Sequence, residues 1–131
     1  MPKVTSQFAV MIMTIIFSTP TYSATEGSRD NRVCIAAIAS VMNRDPSTMT
    51  TQRTAEGIVL VSYRRPDGDS FTYKCRVEGS RVLWGNPDGR WRDHPMDSKV
   101  TYRESGDTVS ITETWPDGST TTKDIEVPVS E

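Results

Sequence analysis

Ser70-Phe-Thr-Tyr-Lys-Cys-Arg-Val77 carries the strictest two-residue alternation in the chain. Phe71, Tyr73, Cys75 and Val77 fall on one side, and Ser70, Thr72, Lys74 and Arg76 on the other. Successive side chains of a strand point to opposite faces, so the stretch predicts a strand with one dry face and one wet face. Cys75 belongs to the dry set.

Upstream the period changes. Cys34, Ile38, Val41 and Met42 recur at i, i+4, i+7 and i+8, with Ala37 beside them, which is one apolar stripe of a helix. Ser28 or Asp30 can cap its start by accepting from the free N–H groups of the first turn. Asn43-Arg44-Asp45-Pro46 stops it, because a residue before proline disfavours the α region. Residues 24–32 are polar and are expected to form a flexible N-terminal segment ahead of a single domain over 33–131. Cys34 sits on the helix stripe and Cys75 on the dry strand face, so both sulfurs point to one interface. The two periodicities agree that the helix docks on the face carrying Cys75, and two cysteines in a chain expected to be exported leave one pairing, a Cys34–Cys75 disulfide. A redox or nucleophilic role has less support, since there is no Cys-x-x-Cys and no histidine close in sequence to either thiol. By chain entropy a bridge closing a loop of about 40 residues contributes about 4 kcal/mol.

Downstream the chain is punctuated by turns. Pro-Asp-Gly occurs at 66–68, 87–89 and 116–118, each reading as a hairpin tip: proline presets the first turn position and glycine accepts a positive φ. Glu78-Gly79-Ser80 and Ser105-Gly106-Asp107 supply two more turns. The strands between them are expected near 58–65, 70–77, 80–85, 90–94, 99–104, 108–115 and 119–126, with Ser47 to Gly57 as a polar connector. The fold class is α+β: one N-terminal helix packed on a twisted antiparallel β-meander of five to seven strands. The expected core is Ile38, Val41, Val59, Val61, Phe71, Tyr73, Val77, Val109 and Ile111.

The first 23 residues read as an address. Lys3 gives a small positive region, Phe8 to Phe17 an apolar run broken only by Thr14, and Pro20-Thr-Tyr-Ser-Ala24 a small-residue cleavage region. This is the order of a secretory signal peptide, with cleavage after Ser23 or Ala24. Ten helical residues rise about 15 Å, half of the ~30 Å hydrocarbon core, so no stable membrane span is expected. The protein is expected to be exported, to the periplasm or beyond the cell, where a disulfide persists. Loss of residues 1–23 removes one cation, Lys3, and no acid. That leaves 14 cations against 17 acids, a net charge of −3.

Composition excludes several chemistries. A mildly acidic chain has no tract for nucleic acid. Two cysteines and one histidine leave no usual metal constellation, and no Gly-x-Ser-x-Gly or Gly-x-Gly-x-x-Gly occurs. Neither cofactor nor metal is expected. Asp67-Gly-Asp69 lacks the further ligands of a calcium loop, so Asp67, Asp88 and Asp117 read as turn formers. His94 lacks a positioned orienter and reads as a loop or solvent-facing residue.

Two features remain. Arg90-Trp-Arg92 has the composition favoured at binding hot spots, with Trp91 expected to be partly exposed and at least two of Trp84, Trp91 and Trp115 buried. Glu113 shares the inward phase of its strand with Val109, Ile111 and Trp115. Burial there would favour its acid form. The plainer expectation is a wet strand end or a pair with an arginine such as Arg103.

Cys34-Ile-Ala-Ala-Ile-Ala39, a proline-containing connector and Tyr73-Lys-Cys-Arg-Val77 together resemble small uncharacterised exported proteins of Gram-negative bacteria, over residues 34–94. The resemblance implies a periplasmic helix-on-sheet domain and brings no activity or site residues. The layout is also similar to small envelope inhibitors of lysozyme or β-lactamase, by architecture alone. The leading expectation is a non-enzymatic binding module for a protein or cell-envelope partner, with Arg90, Trp91 and Arg92 as the binding residues. The alternatives are a small enzyme acting on cell-wall glycan with Glu113 as acid, and a structural envelope protein.

Overall fold

The computed structural model describes residues 24–129; the expected signal segment 1–23 lies outside them. One helix, α1 (Ala24–Met42), precedes seven strands: β1 (Thr50–Arg53), β2 (Val59–Arg64), β3 (Ser70–Glu78), β4 (Arg81–Gly85), β5 (Lys99–Ser105), β6 (Thr108–Thr114) and β7 (Thr120–Glu126). The strands form one open antiparallel sheet in sequence order, and α1 touches every one of them from one face. The helix-on-meander architecture is as the periodicities require.

The sheet curves around the helix, and α1 is buried well beyond a single stripe. Val33, Cys34, Ala36, Ala37, Ile38 and Ala39 are all buried, and the run of alanines lets strands approach from both flanks. Facing them are Val59, Val61, Cys75, Val82, Val100, Val109 and Ile111. Val41, Phe71, Tyr73 and Val77, expected in the core, are only partly buried at its margin. The Cys34–Cys75 bridge joins α1 to β3, with Cα atoms 5.9 Å apart.

The helix begins at Ala24, so the segment 24–32 expected to be loose and the cap expected at Ser28 or Asp30 both lie inside it. Long-range charge explains the order. Arg32, 7% exposed, donates Nε to the Val127 carbonyl at 2.9 Å and a terminal nitrogen to the Gly106 carbonyl at 2.9 Å. Its other terminal nitrogen meets Glu104 at 2.6 Å. Asp30 pairs with Arg53 at 3.1 Å. At the far end Asn43, at φ 57°, is left-handed, and the Arg44 N–H bonds the Ala39 carbonyl at 2.9 Å. That six-to-one bond is a Schellman ending, so the helix stops before Pro46 has to stop it.

Two strand assignments differ from expectation. Residues 90–94 are a loop, and Thr50–Arg53, expected as connector, is the edge strand β1. Pro-Asp-Gly 66–68 and 116–118 do turn β2 into β3 and β6 into β7, with Gly68 and Gly118 at positive φ. Gly89 of the middle triplet is not among the positive-φ glycines, and the next strand begins only at Lys99. Instead the chain folds back on Gly85, where an added Cβ would lie 2.5 Å from the Arg90 carbonyl oxygen. The Arg92 N–H then bonds the Trp84 carbonyl at 2.8 Å. β4 and β5 pair only through Arg81–Thr101 and Val82–Val100, so the two strands part beyond Val82. The loop 86–98 occupies the opening.

Candidate functional site

The parting of β4 from β5 creates a cavity of about 400 Å³ beside the C-terminal turns of α1. Its walls include Trp84, Arg92, Met96, Asp97, Glu113 and Trp115. Trp84 comes from the inner face of β4, where it pairs with Cys75. Glu113 comes from the inner face of β6, where it pairs with Val100, and Trp115 follows in the same phase. Met96 and Asp97 come from the loop.

Asp97 organises that loop. Its carboxylate, with a side chain 11% exposed, accepts two bonds from the Arg90 guanidinium at 2.9 and 3.1 Å. It also accepts from the His94 backbone N–H at 3.1 Å, and Arg92 approaches it at 3.7 Å. The Arg90 hydrogen bonds lead in holding its pKa at about 2, against the opposing effect of desolvation, so it is a carboxylate at all ordinary pH. His94 is exposed, and its Nδ1 accepts from the Met96 N–H at 3.0 Å, a turn role within the loop.

The three consecutive residues Arg90, Trp91 and Arg92 go to different places. Arg90 is spent on Asp97. Arg92 turns to the inner face and lays its guanidinium 4.9 Å from the Trp84 ring centre, inside the cavity. Trp91 is half-buried against Lys74 and Arg76 of the outer face, whose cationic groups lie 4.5 and 4.6 Å from its ring centre. Of the three tryptophans, Trp84 is buried and Trp115 is 43% exposed, so one rather than two is fully enclosed.

Glu113 is half-buried and accepts from the Ser98 hydroxyl at 2.9 Å. Arg103, considered as its partner, pairs with Ser110 in the register and so lies on the opposite face. No ion pair reaches Glu113 among the described residues. The two cations of the wall are committed elsewhere. Lys123 donates to the Ser40 carbonyl at 2.9 Å, in the last turns of α1, where a cation complements the helix dipole. Arg92 is committed to Trp84 and Asp97.

Sequence reasoning placed Glu113 and Trp115 on one inward face but missed Met96, Asp97 and Lys123. Met96 is 71% exposed and stands at the mouth. The sequence signal for the loop was the pair Pro87 and Pro95 bracketing residues 88–94, which argues against a strand there. Asp67 and Asp117 do serve as turn formers. The carboxylate of Asp67 accepts from Arg65 and from the Asp69 N–H, and that of Asp117 accepts from the hydroxyl and N–H of Ser119. Those bonds lower both pKa values.

Among the described residues no group of three His, Cys, Asp or Glu is arranged to hold a metal, and no helix is long and apolar enough to cross a membrane. No protein-family model, curated protein or solved structure matches the chain.

Proposed function

We propose that the protein is an exported, non-enzymatic binding module whose protein partner docks on the mouth of the cavity formed by Arg92, Met96, Glu113 and Trp115. The observation that carries the reading is the convergence of two exposed large apolar side chains, Met96 and Trp115, on one cavity. Isolated apolar residues on a surface need no explanation, but an aromatic and a methionine rimming a polar-floored cavity have hot-spot composition. Export is supported by the order of residues 1–23 and by a disulfide of the kind that persists in oxidising compartments. The test is capture from cell-envelope extract with the purified protein and two variants. Trp115→Ala is expected to lose the captured partner and Trp91→Ala to keep it. Equal capture by both variants, or no specific partner, would remove the reading.

A second reading is a glycan-acting enzyme with Glu113 as acid, favoured by the presence of Glu113 and Asp97 in one cavity with two tryptophans. Glycosidases of the usual kind use two working carboxylates. Asp97 is already engaged by Arg90, Arg92 and a backbone N–H, which leaves Glu113 without a free second carboxylate. Binding is therefore preferred. Hydrolysis of purified peptidoglycan by the parent protein, abolished in Glu113→Gln, would reverse that order.

A further inference from the structure

We infer that the cavity takes a cationic side chain of the partner protein, a lysine ammonium or an arginine guanidinium, seated between the Glu113 carboxylate and the Trp115 ring. The inference rests on the binding reading above and names the chemistry of the contact.

Two groups of the cavity lack what comparable groups of the molecule have. The first is Glu113. Asp30, Glu104 and Asp97 are the other carboxylates held on or beside the inner face, and each has an arginine of this chain within 3.1 Å. Glu113 has one neutral hydroxyl. The second is Trp115. The other two tryptophans, Trp84 and Trp91, each carry a cation of this chain 4.5 to 4.9 Å from the ring centre, from Arg92 and from the Lys74–Arg76 pair. Among the described residues Trp115 carries none.

These two groups are neighbours. Residues 113 and 115 lie two apart in one phase at the end of β6, about 6 to 7 Å apart along the chain. Both line the cavity, and its own cations, Arg92 and Lys123, are bound to Trp84, Asp97 and the end of α1. A carboxylate and an aromatic ring at that separation suit one cation, which meets the first by a charge-assisted hydrogen bond and the second by its quadrupole. The methylene stem of a lysine or arginine would run past the exposed Met96 thioether at the mouth, as amphipathic side chains lie along apolar surface. A neutral side chain of the same length would leave the carboxylate unpaired in a partly desolvated place.

The test uses the purified, disulfide-bonded protein with ¹⁵N-labelled tryptophan, titrated with Nα-acetyl-lysinamide, Nα-acetyl-argininamide and the neutral Nα-acetyl-norleucinamide. The cationic probes are expected to shift the Trp115 and Trp84 indole N–H resonances saturably and to leave that of Trp91 in place. Norleucinamide is expected to bind on the order of tenfold more weakly. Glu113→Gln, which can still accept from Ser98, should erase that preference, and Glu113→Asp should retain part of it with the fold of both read from the same spectra. Equal binding of norleucinamide, a preference that survives Glu113→Gln, or no saturable shift overturns the inference. If the preference is missing while Trp115→Ala still abolishes partner capture, the cation is wrong and the docking site stands. If capture is also indifferent to Trp115, both fall.

Discussion

Glu104 and Glu113 lie on the inner face of the same β5–β6 hairpin, one toward each end of α1. Glu104 is met by Arg32 at 2.6 Å, with Arg29 at 3.9 Å, and the same Arg32 ties the Gly106 and Val127 carbonyls to the helix. At that end the carboxylate is closed off by the chain's own arginines, beside a second cavity of about 450 Å³ lined by Arg32, Arg53 and Val127. Glu113 faces a cavity, has a single hydroxyl partner, and is flanked by a tryptophan and a methionine open to solvent. One carboxylate is part of the scaffold and the other is offered outward, although their positions in the hairpin are formally alike. The difference arises from β4, which follows β5 only as far as Val82 and then leaves room for a loop that brings its own acid, Asp97, already neutralised.

The largest expected effect strikes both ends together. Reducing the Cys34–Cys75 bridge, or replacing both cysteines by alanine, should remove about 4 kcal/mol of stability, read from urea denaturation with and without reductant. An unchanged midpoint would detach the bridge from the scaffold. Arg32→Met should act on the closed end alone, leaving Glu104 and two carbonyls without their donor. A fully buried ion pair broken in this way costs ~3–5 kcal/mol; Glu104 is partly open to solvent, so about 2–3 kcal/mol is expected. Hydrogen exchange should quicken around Gly106 and Val127 and stay unchanged around Glu113.

The closed end was the least legible in sequence. Residues 24–32 are polar and show no apolar stripe, yet they are helical because Asp30 and Arg32 find partners 23 and 72 residues away. Hydrophobic periodicity contains no signal for such pairs. The same limit hid β1: Thr50-Thr-Gln-Arg53 is entirely polar, as an edge strand with no buried residue can be. By contrast, Ser70 to Glu78, the 66–68 and 116–118 turns and both cysteines were legible, because burial and φ constrain their residue types directly. The cavity was half legible. The phase of β6 gave Glu113 and Trp115, whereas Met96 and Asp97 arrive on a loop whose course depends on the Gly85–Arg90 approach and the Arg90–Asp97 pair.

Smaller effects belong to the open end. Arg90→Gln should release Asp97 and loosen residues 90–98 without lowering the global midpoint appreciably, since Arg90 is largely exposed and the pair is confined to one loop. Acid should do the same without mutation. The Asp97 pKa is depressed to about 2, so the loop's stabilisation is fully present above its unfolded value near 4 and is lost as pH falls through about 2. Amide shifts of His94 to Ser98 followed from pH 6 to 2 should report that loss only below about pH 4. A midpoint near neutrality would contradict the assignment.

The central claim, that one carboxylate holds the fold and the other holds a partner, is tested most directly by stability and partner capture measured side by side on Glu104→Gln and Glu113→Gln. Glu104→Gln is expected to lower the urea midpoint and, at a matched folded fraction, to capture the envelope partner as the parent does. Glu113→Gln is expected to keep an unfolding free energy within about 0.5 kcal/mol of the parent and to lose the capture. Two variants that lose stability alike, or a Glu113→Gln protein that captures undiminished, would contradict the account.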